Sequence, residues 1–228
     1  MGLVGGSDEE LIDGAPPYSS LLSGLPAPYL ESMSSTQILE DGPLPEGVAL
    51  DVLLISPDGG KVAYSAARGQ KNVVRVGDAE SEPFDEVGKP KFSPDGSTVA
   101  YWAKRGKREY MVVGTKKGKA FQGVGWPTWG PRGALPAFYV LSGRSQILVA
   151  DGEQGEAFDC VSGTPTFSPD GALVAYSARK GAKWFIVAGK RKSEAYDQVS
   201  EPVFSKTGEA VIFAAVVDRR LLRVRMTV

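Results

Sequence analysis

The chain contains no histidine and only one cysteine. Without imidazole there is no Ser-His-Asp or Cys-His nucleophile, no usual general base near neutral pH and no histidine-ligated metal. The lone Cys160 forms no disulfide within the chain and supports no cysteine-rich zinc site. No basic residue adjoins it to stabilise a thiolate, so it reads as a structural thiol in the outer strand of the third repeat. No apolar run is long enough to span a bilayer, and no G-x-x-x-x-G-K-[ST] phosphate loop occurs. The N-terminus has no early Lys or Arg and carries acidic Asp8-Glu9-Glu10. No signal peptide is read there, so the expected location is cytoplasmic, or periplasmic or secreted if the chain is a processed form. Nothing in these absences calls for a cofactor.

What is present is a repeat. Ser56-Pro57-Asp58-Gly59, Ser93-Pro94-Asp95-Gly96 and Ser168-Pro169-Asp170-Gly171 are intact copies of one phrase. Gly130-Pro131-Arg132-Gly133 and Ser205-Lys206-Thr207-Gly208 are worn ones, and the steps between first residues are 37, 37, 38 and 37. A period of that size signals a repeat architecture. Pro presets φ at the second position of a type I turn, Asp suits the third, and the final Gly accepts positive φ. That Gly is kept in all five copies, whereas Pro and Asp are lost in places.

Each turn follows a short apolar stretch ending in Ile55, Phe92, Trp129, Phe167 or Phe204. Two β-type runs come after it, such as residues 61–66 and 72–76 in the first copy. A shorter third stretch carries Phe84, Phe121, Phe158 or Tyr196, and Pro90, Pro127, Pro165 or Pro202 closes the unit. Four strands in about 37 residues cannot bury both faces alone, so neighbouring units must stack. The expected fold is all-β, a five-bladed β-propeller of four-stranded blades at residues 36–228. The last unit has no outer strand of its own, and residues 36–40 are expected to complete it and remove a raw edge. Residues 1–35, rich in Gly, Pro and Ser, read as a flexible or surface-lying arm.

The phrase S-P-D-G followed by V-A-Y, as in Val62-Ala63-Tyr64 and Val174-Ala175-Tyr176, resembles the TolB-type, WD40-like propeller repeats over residues 51–228. The W-D dipeptide of WD40 repeats is absent, and the third and fifth copies depart from the phrase. The resemblance implies a fold. It leaves open an interaction propeller or an accessory propeller of a larger enzyme.

Function is read from charge and from the positions nearest the axis. The hairpins joining the second and third strands of every unit share one rim. Their windows hold twelve Lys or Arg against two acidic residues, in a chain of net charge −1. Such a ring attracts and orients an acidic partner; solvated hairpin tips are the plainer account. The expected contact residues are Arg68, Lys71, Arg105, Arg108, Arg144, Arg179, Lys183 and Arg219 on that rim, with Lys89, Trp126 and Glu201 nearer the axis. Just before the conserved Pro stand Lys89, Trp126, Thr164 and Glu201, where glycosidase-type chemistry would need paired carboxylates. With one acid among them, no catalytic residue is assigned. Trp126 reads either as an exposed anchor or as packing against a neighbouring loop.

The leading expectation is therefore a non-catalytic propeller acting as a protein-interaction scaffold for an acidic partner. A glycan-binding, lectin-like propeller is the alternative, and a carboxylate-dependent glycoside hydrolase or lyase ranks below it. The slightly negative net charge argues against nucleic acid.

Overall fold

The computed structural model describes residues 53–133 and 135–228, all within one compact unit, Pro43–Val228. They form antiparallel sheets in chain order. The first holds β1 (Leu54–Ile55), β2 (Val62–Arg68), β3 (Lys71–Val76) and β4 (Ala79–Glu80). The second holds β5 (Glu86–Val87), β6 (Lys91–Phe92), β7 (Val99–Arg105), β8 (Arg108–Val113) and β9 (Lys116–Phe121). The third runs through β10 (Gly123–Val124), β11 (Phe138–Ser142), β12 (Ser145–Ala150) and β13 (Glu153–Phe158). The fourth comprises β14 (Cys160–Phe167), β15 (Val174–Lys180), β16 (Lys183–Ala188) and β17 (Arg191–Lys192). In the fifth, β18 (Gln198–Val199) and β19 (Val203–Phe204) both pair β20 (Ala210–Val217), which pairs β21 (Arg220–Thr227). Among the described residues the fifth sheet has no outer strand. The closing strand expected at residues 36–40, and the arm at 1–35, lie outside the described residues.

The inner strand departs from a simple run. In the second sheet β5 and β6 are two pieces on the same partner, β7, separated by Gly88-Lys89-Pro90. Pro has no N–H to give the ladder, so the strand breaks where the repeated Pro falls. The repeated Pro thus falls inside the innermost strand rather than ending the unit: it splits the strand in the second and fifth sheets, and in the fourth it lies within a register shift between Ser162 and Thr166. Cys160 likewise opens β14, the innermost strand of the fourth sheet, and not an outer strand. The outer strand ends at Phe158, and the chain crosses to the next sheet immediately after it.

Cores lie between sheets, not within them. Alternation along β7 sends Val99, Tyr101 and Ala103 to the first sheet, where they meet Ala63, Val74 and Phe84. The intervening Ala100 packs toward Phe138, Val140 and Val149 of the third, with Met111 beside it and Trp102 against its edge. Ala137, Leu148 and Phe158 meet Tyr176 and Val187 at the next junction, and Ile186 and Ala188 meet Val211 and Phe213 at the last. Phe84 and Phe158 are almost wholly buried. Each stabilises the stack by roughly 1.5–3 kcal/mol relative to exposure. Among the described residues no further sheet covers the far face of the fifth, where Val203 is 62 % and Leu221 77 % exposed.

The S-P-D-G turn is held by its own side chains. Ser93 Oγ donates to Asp95 Oδ1 at 2.6 Å and accepts from the Thr98 amide at 3.0 Å, while Asp95 also accepts from the Ser97 amide at 3.1 Å. Ser56–Asp58 and Ser168–Asp170 repeat the arrangement. The final glycines have φ between 63° and 78°, as at Gly133 and Gly208, a region unfavourable to other residues.

Candidate functional site

The hairpins between the second and third strands of each sheet turn through Gly69, Gly106, Gly143 and Gly181 at positive φ. The fifth uses Asp218 at 48° and Arg219 at 63° instead. Type I′ turns need positive φ at both central residues, and Asp tolerates it better than most. Those turns place the basic residues at solvent-exposed tips.

The structure adds carboxylates to the same rim. The residue following each outer aromatic reaches the next sheet's hairpin. Asp85 Oδ2 accepts from the Gly106 amide at 2.5 Å, and Gln122 Oε1 from Gly143 at 2.7 Å. Asp159 Oδ2 accepts from Gly181 at 2.7 Å, and Asp197 Oδ2 from Asp218 at 3.0 Å. Asp85 and Asp197 also pair with Lys71 and Lys183 of the preceding hairpins, the latter at 2.6 Å. Hydrogen bonds from these lysines, then from the backbone amides, hold both carboxyls below the usual aspartate range. The sequence reading overlooked these brackets. Their signal was there in Phe84-Asp85, Phe158-Asp159 and Tyr196-Asp197, recurring with the repeat.

The expected contact residues therefore divide. Arg68 pairs with Glu80 at 2.6 Å, and Arg105 pairs with Glu82 at 3.1 Å while lying over the Phe84 ring at 5.1 Å. Arg179 donates to the Gly181 carbonyl at 2.7 Å and faces the Trp184 ring at 6.0 Å. Arg108, Arg144 and Arg219 are exposed and make no ion pair among the described residues. These three stand on the corresponding hairpins of the second, third and fifth sheets.

At the inner strands, Trp126 is 55 % exposed yet packs edge-on against Trp102, with centroids 6.2 Å apart and planes at 78°. Its partner is a side chain of strand β7 and not a neighbouring loop. Gly88 lies so close beneath Trp102 that a Cβ there would come within 2.2 Å of Nε1. Glu201 is exposed and reaches over Gly163, where a Cβ would lie 2.4 Å from Oε1. Lys89 is exposed at the matching position of the second sheet. The Tyr139 hydroxyl is buried without a hydrogen-bond partner, and burial, then the nearby Tyr176 and Glu201, raises its pKa. Among the described residues, no three acidic or cysteine side chains come close enough to hold a metal ion, and no helix is long and apolar enough to cross a membrane.

No family model matches the chain, and no curated protein matches it by sequence. Solved structures do. TolB from Acinetobacter baumannii aligns at 19 % identity and TM-score 0.39, over 77 % of this chain and 51 % of that one. An oligogalacturonate lyase in complex with manganese aligns at 13 % identity and TM-score 0.44, over 86 % and 70 %. The β-propeller domain of the Trilobed protease from Pyrococcus furiosus aligns at 15 % identity and TM-score 0.46, over 77 % and 71 %. The chain spans about half the length of the TolB that it matches. These likenesses concern overall fold and carry no activity across. Consecutive antiparallel sheets, most of them with an S-P-D-G-type turn after their inner strand and each cored against its neighbours in the chain, make this an all-β, repeat-built fold similar to the TolB-type propeller that its sequence resembles.

Proposed function

We propose that the chain is a non-catalytic, five-bladed interaction propeller whose hairpin rim receives an acidic protein segment. The observation that carries this reading is the set of exposed, unbridged guanidinium groups at Arg108, Arg144 and Arg219. Arg68, Lys71, Arg105 and Lys183 are already engaged by Glu80, Asp85, Glu82 and Asp197, while exposed Lys107 and Arg220 add charge on the same hairpins as Arg108 and Arg219. Arginine presents a planar fork that suits carboxylates, and exposed Trp126 adds an aromatic anchor of the kind enriched at interfaces.

The test is binding of a Glu-rich peptide followed across a salt series. Affinity is expected to fall as salt rises, and R108E/R144E/R219E to lose about tenfold or more, by analogy with other steered interfaces. Unchanged affinity in that variant overturns the reading. A second reading rests on the exposed Trp126 ring buttressed by Trp102, with Glu201 on another inner strand: a sugar stacked on Trp126. Binding to a glycan array that is lost in W126A would favour it over the first.

A further inference from the structure

Two repeat-equivalent grooves open between outer strands, one between the first and second sheets and one between the second and third. Their volumes are about 490 and 540 Å³, within the range of small-molecule sites. Their mouths differ in charge. Across the first groove, Glu82 reaches from the outer edge of the first sheet to Lys117 at 3.0 Å and Arg105 at 3.1 Å. The third junction has the same clasp, with Glu156 binding Lys192 at 2.8 Å and Lys180 at 3.3 Å.

At the second junction the repeat places Lys119 where the others have Glu82 and Glu156. Gln154 and Ser142 stand where the others have the two cations. No ion pair crosses that groove among the described residues. Its walls are apolar, formed by Met111, Phe121, Phe138 and Val149, while Lys116, Lys117 and Lys119 stand at its edge. Lys117 is satisfied by Glu82; Lys116 and Lys119 have no carboxylate partner among the described residues. Lysines on an outer strand also discourage edge-to-edge pairing. That role does not explain why Lys119, above an apolar cleft, replaces the Glu that stands at this position in the other units, at Glu82, Glu156 and Glu194.

We infer that the groove between the second and third sheets binds an amphiphilic carboxylate, its chain against Phe121 and Phe138 and its headgroup at Lys116 and Lys119. Both parts are needed: the chain removes apolar surface from water, and the headgroup supplies the charge that Glu supplies elsewhere. This site is separate from the hairpin rim, since it opens beside the Gly114 and Gly152 hairpins between third and fourth strands.

Titration calorimetry of the intact chain with dodecanoate, below its micelle concentration, tests the inference. Saturable binding of one equivalent is expected, with dodecyltrimethylammonium at least tenfold weaker. K119E/Q154K rebuilds the outer-strand half of the clasp seen at the first and third junctions and should reduce dodecanoate affinity at least tenfold while leaving the melting temperature unchanged or raised. Should that pair misfold, the exposed single variant K116E carries the same expectation in a smaller degree. No binding by the intact chain, equal binding of the cationic amphiphile, or full binding by the folded clasp variant each overturns the proposal. A Glu-rich peptide displacing dodecanoate from the groove would likewise overturn it in favour of a protein occupant.

Discussion

Asp85 accepts a hydrogen bond from the Gly106 amide at 2.5 Å, and the same carboxylate pairs with Lys71. One side chain thereby ties the hairpin of one sheet to the hairpin of the next. Asp197 does the same between Lys183 and Asp218. D85A and D197A should therefore lower the melting temperature by a few degrees each. Q122A, which removes a neutral bond to Gly143 and no ion pair, should cost less. Thermal melts at low and high salt separate the contributions, because screening weakens only the ionic one.

Acid should destabilise the protein in a defined window. Asp58, Asp85, Asp95, Asp170 and Asp197 are held below their ordinary value of 3.8, and Glu82 and Glu156 below 4.5. A carboxyl whose folded pKa is depressed contributes stability above its unfolded value and loses it as pH falls through the folded one. Stability should be level from about pH 5 to 8, where the chain has no histidine to titrate. It should fall progressively below about pH 4. A transition centred near pH 6 in denaturation midpoints would contradict this account.

The turn serines are unequal. Ser168 is fully buried, donates to Asp170 Oδ1 at 2.6 Å and accepts from the Leu173 amide at 2.9 Å. Removing its hydroxyl strands that amide, so S168A should cost about 1–3 kcal/mol in urea titrations. Ser205 faces Thr207 where the three intact copies have Asp, and its contact to the Ala210 amide is longer at 3.2 Å. S205A should cost clearly less.

A methyl group at Gly88 has nowhere to go. G88A would set Cβ 2.2 Å from Trp102 Nε1, forcing the indole off Trp126. A loss of about 1–3 kcal/mol is expected from such overpacking, with a change in tryptophan emission. G60A, whose Cβ would meet the Asp58 carboxylate at no less than 3.5 Å, serves as the control.

The period of the S-P-D-G phrase carried the sheet order, because each turn residue has a local reason for its place and the steps repeat. Aromatics such as Phe84 and Phe158 were legible for the same reason: their position recurs and their bulk must be covered. What escaped was cross-sheet chemistry. Asp85 and Asp197 lie outside the hairpin windows in sequence but beside them in space, so a census of tips alone overstated the excess of cations. The split inner strand is not legible in sequence because Pro90 and Pro202 read as boundaries, whereas the ladder to β7 and β20 resumes beyond them. The grooves at the outer strands depend on which residues face across a junction, and only the pairing of Glu82 with Lys117 reveals the rule that Lys119 breaks.

Placing every core at a junction has an evolutionary corollary. A copied unit carries one half of each neighbouring contact on either flank, so tandem duplication delivers a finished seam at once and needs no new invention. Divergence can then act on single seams, as the reversal at Lys119 illustrates, while the rest of the stack keeps its inherited fit.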